Sequence, residues 1–115
     1  MDEILTDNVW KQVAPYARSC RRRVAALAYV STDTHIRFKR GDTLVCDASD
    51  AAVKSGETSA TVLSKWFKAS VRIYSRPGLH AKVLVMGTRA LVGSANLSQS
   101  SATQLREASL LTSRP

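Results

Sequence analysis

The sequence predicts an α/β fold in which a mixed β-sheet is flanked by helices on both faces. Short apolar runs of strand length alternate with amphipathic segments of helical period. Residues 24–30 are apolar at successive positions, which is typical of a central strand covered on both sides. Residues 79–86 and 90–92 are apolar runs separated by a glycine-containing turn, which indicates an antiparallel strand pair.

The remaining elements follow from the same patterns. Apolar residues at helical spacing predict helix within residues 4–20, kinked or divided at Pro15 because proline lacks a backbone donor. Residues 36–40 alternate like an edge strand, and residues 59–69 have one apolar face, as in an amphipathic helix. Further strands are predicted over residues 43–46, 71–74 and 104–111.

A chain of 115 residues is the size of one domain, which we assign to residues 1–115. Its net charge of +8 favours an anionic partner, and we expect nucleic acid. The basic run Arg21–Arg23 is interpreted as a solvated face. Arg72 and Arg76, which precede the strand pair, are candidates for binding a phosphate backbone. Gly93 is a third candidate, because a glycine lets the backbone approach a ligand closely.

Neither of the two cysteines, Cys20 and Cys46, lies in a cluster with metal-ligand spacing, so we expect no metal site and no cofactor. The N-terminal residues are acidic where a signal peptide needs basic ones. No segment approaches the roughly 20 apolar residues of a membrane span. We therefore expect a cytoplasmic protein without stable membrane insertion.

The most informative segment is residues 80–96, HAKVLVMGTRALVGSAN. It places an imidazole, an ammonium, a hydroxyl and a carboxamide on two adjacent strands, and these groups suit binding and attack on a phosphate without a metal ion. His80 and Lys82 are two positions apart and therefore share a strand face. Ser94 and Asn96 have the same spacing at the end of the returning strand.

The turn between these strands admits two registers. A three-residue loop sets Lys82 opposite Ser94. A two-residue turn at Gly87 and Thr88 fits type II′ chemistry better, but it puts the two pairs on opposite faces unless Gly93 forms a bulge.

The pattern His-x-Lys followed by Gly-Ser-x-Asn resembles the signature of the phospholipase D superfamily. The matching residues are His80, Lys82, Gly93, Ser94 and Asn96. Glu107 lies eleven residues after Asn96, where relatives carry a glutamate that orients the motif histidine, whereas Gly87 replaces the usual aspartate. The resemblance implies a phospholipase D-like α-β-α sandwich. It also implies either a bacterial single-motif nuclease-like member or the N-terminal half of a two-motif member.

The resemblance further implies a metal-independent phosphodiesterase. His80 would be the nucleophile and would form a phosphohistidine. Glu107 would accept a hydrogen bond from the other ring nitrogen and fix the tautomer. Lys82 and Asn96 would bind the non-bridging oxygens, with help from Ser94.

A second motif copy would complete this site, because the leaving oxygen needs a proton from a general acid. The chain carries one copy, since the other histidine, His35, has no lysine at the right offset. We therefore expect a homodimer with two facing His80 side chains, or a missing second half-domain. The expected activity is that of an endonuclease of low sequence specificity.

Two alternatives stay open at this point. One is a lipid enzyme of the phospholipase D or phosphatidyltransferase type. The other is a catalytically inactive nucleic-acid-binding module, which the replaced aspartate and the single motif copy would favour.

Overall fold

The computed structural model of the chain describes residues 2–103 and 105–114, and within these residues seven strands form one mixed sheet. The strands are β1 (Asp2–Leu5), β2 (Arg23–Leu27), β3 (Thr43–Cys46), β4 (Arg72–Ser75), β5 (Lys82–Met86), β6 (Arg89–Gly93) and β7 (Ser109–Ser113). The helices are α1 (Val9–Ser19), α2 (Asp50–Ser55), α3 (Ala60–Lys68) and α4 (Gln99–Thr103). The strand order is β1-β7-β6-β5-β2-β3-β4. The pairs β2–β3 and β3–β4 are parallel, and the other pairs are antiparallel.

Helices and long connections cover one face of this sheet. The connections β1–β2, β2–β3 and β3–β4 each join strands that run in the same direction, and each steps the same way across the sheet. Crossovers of this kind are right-handed, so all three fall on the same side. The main core lies there, and its largest fully buried apolar side chains include Trp10, Leu27, Leu44 and Leu84.

The opposite face of the sheet is open in the described residues. One apolar row crosses all seven strands there: Tyr74, Val45, Ala26, Val83, Val92, Leu110 and Ile4. In the adjacent row, Val24 and Val85 are 43% and 37% exposed. The predicted α/β class and mixed sheet are confirmed, but the helices cover one face rather than both, because the handedness of the connections places them all on that side.

The N-terminal segment contains a strand as well as a helix. The residues predicted to begin the helix, Ile4 and Leu5, instead belong to β1 and pair with β7. The helix α1 begins after Asn8, whose side-chain oxygen accepts from the Lys11 amide at 3.3 Å. It contains Pro15 and continues through it as one helix, rather than dividing there.

Two other predicted strands differ in the structure. Residues 36–40 form no strand, but Phe38 is buried and packs edge-on against Trp66, with ring centroids 4.9 Å apart. The strand predicted over residues 104–111 begins at Ser109, and residue 104 lies outside the described residues.

Arg23 contradicts its interpretation as part of a solvated face, because it is 2% exposed. Its Nε donates to Asp42 Oδ2 at 2.7 Å, and its backbone amide donates to Asp42 Oδ1 at 2.9 Å. Asp42 Oδ2 also accepts from the Lys39 amide at 2.7 Å. A buried charge needs such pairing, so this cluster fixes the amino-terminal edge of the sheet.

Candidate active site

The motif residues lie at the edge of the sheet where β2, β3, β4 and β6 end. His80 precedes β5, Lys82 begins it, and Ser94 and Asn96 follow β6. Glu107 precedes β7 at the same edge. Open α/β sheets commonly bind ligands outside the carboxyl ends of their parallel strands, so the topology puts the motif in a suitable place.

The β5–β6 hairpin has the two-residue turn. Met86 pairs with Arg89, which leaves Gly87 and Thr88 as the turn residues. Gly87 has a φ of 64°, the positive value that a type II′ turn requires at its first central position. Because Val83 pairs with Val92, the ladder register does not set Lys82 opposite Ser94.

The motif comes together because the chain leaves the ladder after β6. Val30 and Leu97 form a parallel bridge, and the Leu97 amide donates to the Tyr29 carbonyl at 3.2 Å. The segment after β6 therefore crosses the start of β5 and lies beside the end of β2. The Ala28 amide donates to the Ala81 carbonyl at 2.9 Å, which ties the same end of β2 to the residue between His80 and Lys82.

His80 and Lys82 lie side by side at this edge. Lys82 Nζ is 3.4 Å from His80 Nδ1 and donates to the His80 carbonyl oxygen at 3.1 Å. The His80 side chain is exposed and Lys82 is half-buried. A cation and a solvent-accessible imidazole therefore lie next to each other on the surface, as attack on a bound anion requires.

Asn96 is held from two sides. Its Oδ1 accepts from the Tyr29 amide at 3.2 Å, and its backbone carbonyl accepts from Trp10 Nε1 at 2.6 Å. Its backbone amide donates to Ser101 Oγ at 3.2 Å. With Oδ1 occupied, the Asn96 amide nitrogen is the group left to donate to a ligand.

Ser94 and Glu107 form a separate pair. Ser94 Oγ donates to Glu107 Oε2 at 3.2 Å and accepts from the Ala108 amide at 3.0 Å. The ion pairs of the described residues do not include a His80–Glu107 contact. The orientation of His80 by Glu107 stays a prediction, and in this structure the glutamate contacts the serine.

Gly93 is required for close contact with β7. A Cβ at this position would lie 2.5 Å from the Ala108 carbonyl oxygen and 2.6 Å from Ser109 Cβ, both closer than real side chains approach. The glycine thus allows the strand end that carries Ser94 to pack against the residues that follow Glu107. Its predicted contact with phosphate stays untested.

The two arginines predicted to bind phosphate lie at different ends of β4. Arg76 follows the strand at the motif edge, where its amide donates to the Cys46 carbonyl at 2.8 Å. Arg72 begins the strand, about 13 Å of extended chain away, and its amide donates to the Asp42 carbonyl. The structure therefore places Arg76 at the sheet edge that carries the motif and Arg72 at the opposite end of β4.

Solved structures share this architecture at low sequence identity. NucT from Helicobacter pylori superposes with a TM-score of 0.71 at 15% identity, over 98% of this chain and 85% of NucT. Nuc from Salmonella typhimurium, a phospholipase D family member, gives 0.72 at 11% identity, over 99% and 84% of the two chains. The chain has a phospholipase D-like fold.

Larger proteins also superpose on this chain. Phosphatidylserine synthase from Haemophilus influenzae Rd KW20 gives a TM-score of 0.72 at 14% identity, with 98% of this chain matching 33% of that protein. The sequence matches no protein-family model and no curated protein. In the described part of the chain, no helix is long and apolar enough to cross a membrane.

Three residues near the motif were not identified from the sequence: the phenolic Tyr29 and the acidic Glu57 and Asp47. Tyr29 and Glu57 lie beside Asn96, and Asp47 follows β3. The negative charge of Glu57, followed by burial, raises the pKa of Tyr29. Tyr29 and Asp47 could have been recognised from their position, because they are polar residues at the carboxyl ends of apolar strands, where ligand sites commonly form.

Asp47 holds the turn that precedes His80. Its Oδ2 accepts from the Gly78 amide at 3.1 Å, and its Oδ1 accepts from the Ser49 amide at 3.0 Å. Hydrogen bonds from Ser49, followed by the bond from Gly78, lower the pKa of this carboxyl group below its ordinary value. The end of β3 is thereby connected to the loop that presents the histidine.

Proposed function

We propose that the chain is a metal-independent phosphodiesterase, and specifically a nuclease of low sequence specificity. The observation that carries the proposal is the pairing of an exposed His80 with Lys82 at the sheet edge where the Tyr29 amide holds Asn96. These three groups supply a nucleophile, a cation and an amide donor at one edge of the sheet. Preorganised donors of this kind stabilise the charge that develops on phosphoryl oxygens.

The proposed reaction has two steps. An unprotonated ring nitrogen of His80 attacks phosphorus, the bond to the leaving oxygen breaks, and a general acid protonates that oxygen. Water then attacks the phosphohistidine and gives a proton to the deprotonated general acid, the phosphorus–nitrogen bond breaks, and a phosphate monoester leaves with the imidazole restored. Lys82 and Asn96 bind the non-bridging oxygens in both steps.

The general acid is proposed to come from a second copy of the motif, in an isologous dimer or in a separate half-domain. His80 is exposed, so a second copy can reach it. A two-fold axis through the site would place one imidazole on each side of phosphorus, with one attacking and one donating the proton. Light scattering that gives twice the mass of the chain, together with turnover that depends on protein concentration, would support the dimer.

Nucleic acid is the proposed substrate because of charge. The chain carries a net charge of +8, which attracts a polyanion strongly and with little sequence preference. A phosphatidylserine synthase has the same fold, so the experiment compares nucleic acid directly with phospholipid as a substrate. Cleavage of DNA or RNA, with no turnover of phospholipid vesicles, is the expected result.

The test is hydrolysis of bis(p-nitrophenyl) phosphate and of DNA in the presence of EDTA. We expect turnover by the native protein and a loss of at least about 10³-fold for His80→Ala, the scale of a lost nucleophile. His35→Ala is the matched control, because it removes the other histidine, which is hydrogen-bonded to Gln99 at 3.3 Å outside the motif. Equal losses in the two variants, or full activity of His80→Ala, would contradict the proposal.

A further inference from the structure

A cavity of about 280 Å³ adjoins the candidate active site on the side of β2. Asn96 belongs to both, since it lines the cavity and is also a motif residue. Its lining also includes Tyr29, Ser31, Glu57, Ser98 and Ser100. The volume lies just below the usual range for ligand pockets, so it suits one group the size of a nucleoside rather than a chain of nucleotides.

The walls of this cavity are held by the backbone. The Ser31 amide donates to the Leu97 carbonyl at 2.9 Å, and the Ser59 amide donates to the Val30 carbonyl at 2.8 Å. A third bond, from the Leu97 amide to the Tyr29 carbonyl at 3.2 Å, joins the same two segments as the first. The cavity is therefore preformed, and a ligand would not have to order it.

The chemistry of the lining differs from that of the rest of the chain. Hydroxyl groups predominate, and Glu57 is the one charged side chain among the described residues that line it. Glu57 Oε1 accepts from Ser55 Oγ at 3.0 Å, and the negative charge of Glu57 raises the pKa of the neighbouring Tyr29. A carboxylate has about four acceptor positions, so capacity remains for a ligand donor. The negative charge opposes a second phosphate in a chain that is otherwise strongly basic.

We propose that this cavity binds the neutral, donor-rich group attached to the scissile phosphate, a nucleoside, and that Glu57 accepts a hydrogen bond from it. The inference rests on the proposed function, because it assigns the position of the substrate around Asn96. Phosphate would lie against His80, Lys82 and the Asn96 amide, and the nucleoside would extend over Tyr29 towards Glu57. Glu57 is thus a specificity-determining residue for the group that stays on phosphorus.

The experiment compares two substrates with one leaving group. One is the p-nitrophenyl ester of thymidine 5′-monophosphate, and the other is methyl p-nitrophenyl phosphate, in which methyl replaces the nucleoside. We expect the native protein to prefer the nucleoside ester in kcat/KM. Glu57→Ala should reduce that preference about tenfold, mainly through KM, because it removes one hydrogen bond to a charged group.

Two controls keep the result specific. Glu3→Ala removes an exposed carboxylate from the edge strand β1 and should leave the preference unchanged. The p-nitrophenyl ester of 2-deoxyribose 5-phosphate lacks the base, so its rate identifies whether the sugar hydroxyl or the base supplies the donor. A preference that Glu57→Ala leaves intact, or that Glu3→Ala removes equally, would overturn the assignment.

A binding measurement separates this proposal from the proposed function. Thymidine 5′-monophosphate should shift the backbone amide NMR signals of residues 55–57 and 96–100, whether or not turnover occurs. Turnover without a nucleoside preference overturns the cavity assignment and leaves the phosphodiesterase standing. Shifts without turnover overturn the phosphodiesterase proposal and leave the cavity assignment standing. Absence of both turnover and shifts overturns both proposals.

Discussion

Replacing Gly93 with alanine tests the packing that places the motif. The new Cβ would lie 2.5 Å from the Ala108 carbonyl oxygen, whereas ordinary contact begins at 3.4 Å, so β6 and β7 must separate by about 0.9 Å. That shift loosens two hydrogen bonds, Ser94 N to Ala108 O at 3.2 Å and Ala108 N to Ser94 Oγ at 3.0 Å.

The expected cost follows from these contacts. Overpacking costs about 1–3 kcal/mol, and each of the two hydrogen bonds contributes about 1 kcal/mol, so the free energy of unfolding should fall by about 3–5 kcal/mol. A displacement of about 1 Å at catalytic groups costs about 10²-fold in rate, so turnover should fall by a similar factor in the protein that remains folded.

The assay is urea unfolding followed by circular dichroism, with turnover measured on the same samples. Gly41→Ala is the matched control, because a Cβ there meets nothing within 4 Å but sits at a φ of 92°. That backbone strain should cost about 1–2 kcal/mol and leave turnover unchanged. A Gly93→Ala protein as stable and active as the native one would refute the close-approach argument.

Two further substitutions test the supports of the sheet edges. Asp42→Ala leaves the buried Arg23 guanidinium without its carboxylate and should lower the free energy of unfolding by about 3–5 kcal/mol in urea titrations; a loss under 1 kcal/mol would contradict the paired-charge account. Because the pKa of Asp47 is lowered from 3.8, its carboxylate stabilises the fold above about pH 4, and this contribution disappears as the pH falls through the lowered pKa. The stability difference between the native protein and Asp47→Asn should therefore be largest at neutral pH and shrink under acid, and a difference independent of pH would contradict it.

The sequence predicted the β5–β6 turn because its signal is local, and the structure confirms the Gly87–Thr88 turn of type II′ character. The two-residue spacing of His80 and Lys82 likewise accounts for their lying side by side at the start of β5. The catalytic roles of these residues stay predictions. Apolar patterning likewise identified the central strands. These features depend on residues that are near one another in the sequence, where strand alternation and turn chemistry decide the outcome.

The sequence could not predict features that depend on distant contacts. An apolar run such as residues 24–30 shows that both strand faces are apolar, but the handedness of three crossovers decides which face receives the helices. The sequence pattern indicates that Arg23 belongs to an exposed basic run, because its partner Asp42 lies nineteen residues later and only the fold brings the two together. Tyr29 meets Asn96 across 67 residues, so no local pattern marks that pair.

The most direct test of the account is capture of the covalent intermediate. Methyl p-nitrophenyl phosphate is mixed with the native protein in EDTA, quenched in alkali to preserve a phosphorus–nitrogen bond, and analysed by peptide mass spectrometry. The account predicts one added methyl phosphoryl group on the peptide containing His80, and no such group in His80→Asn. Turnover without an adduct, or an adduct on another residue, would contradict the assignment of His80 as the nucleophile.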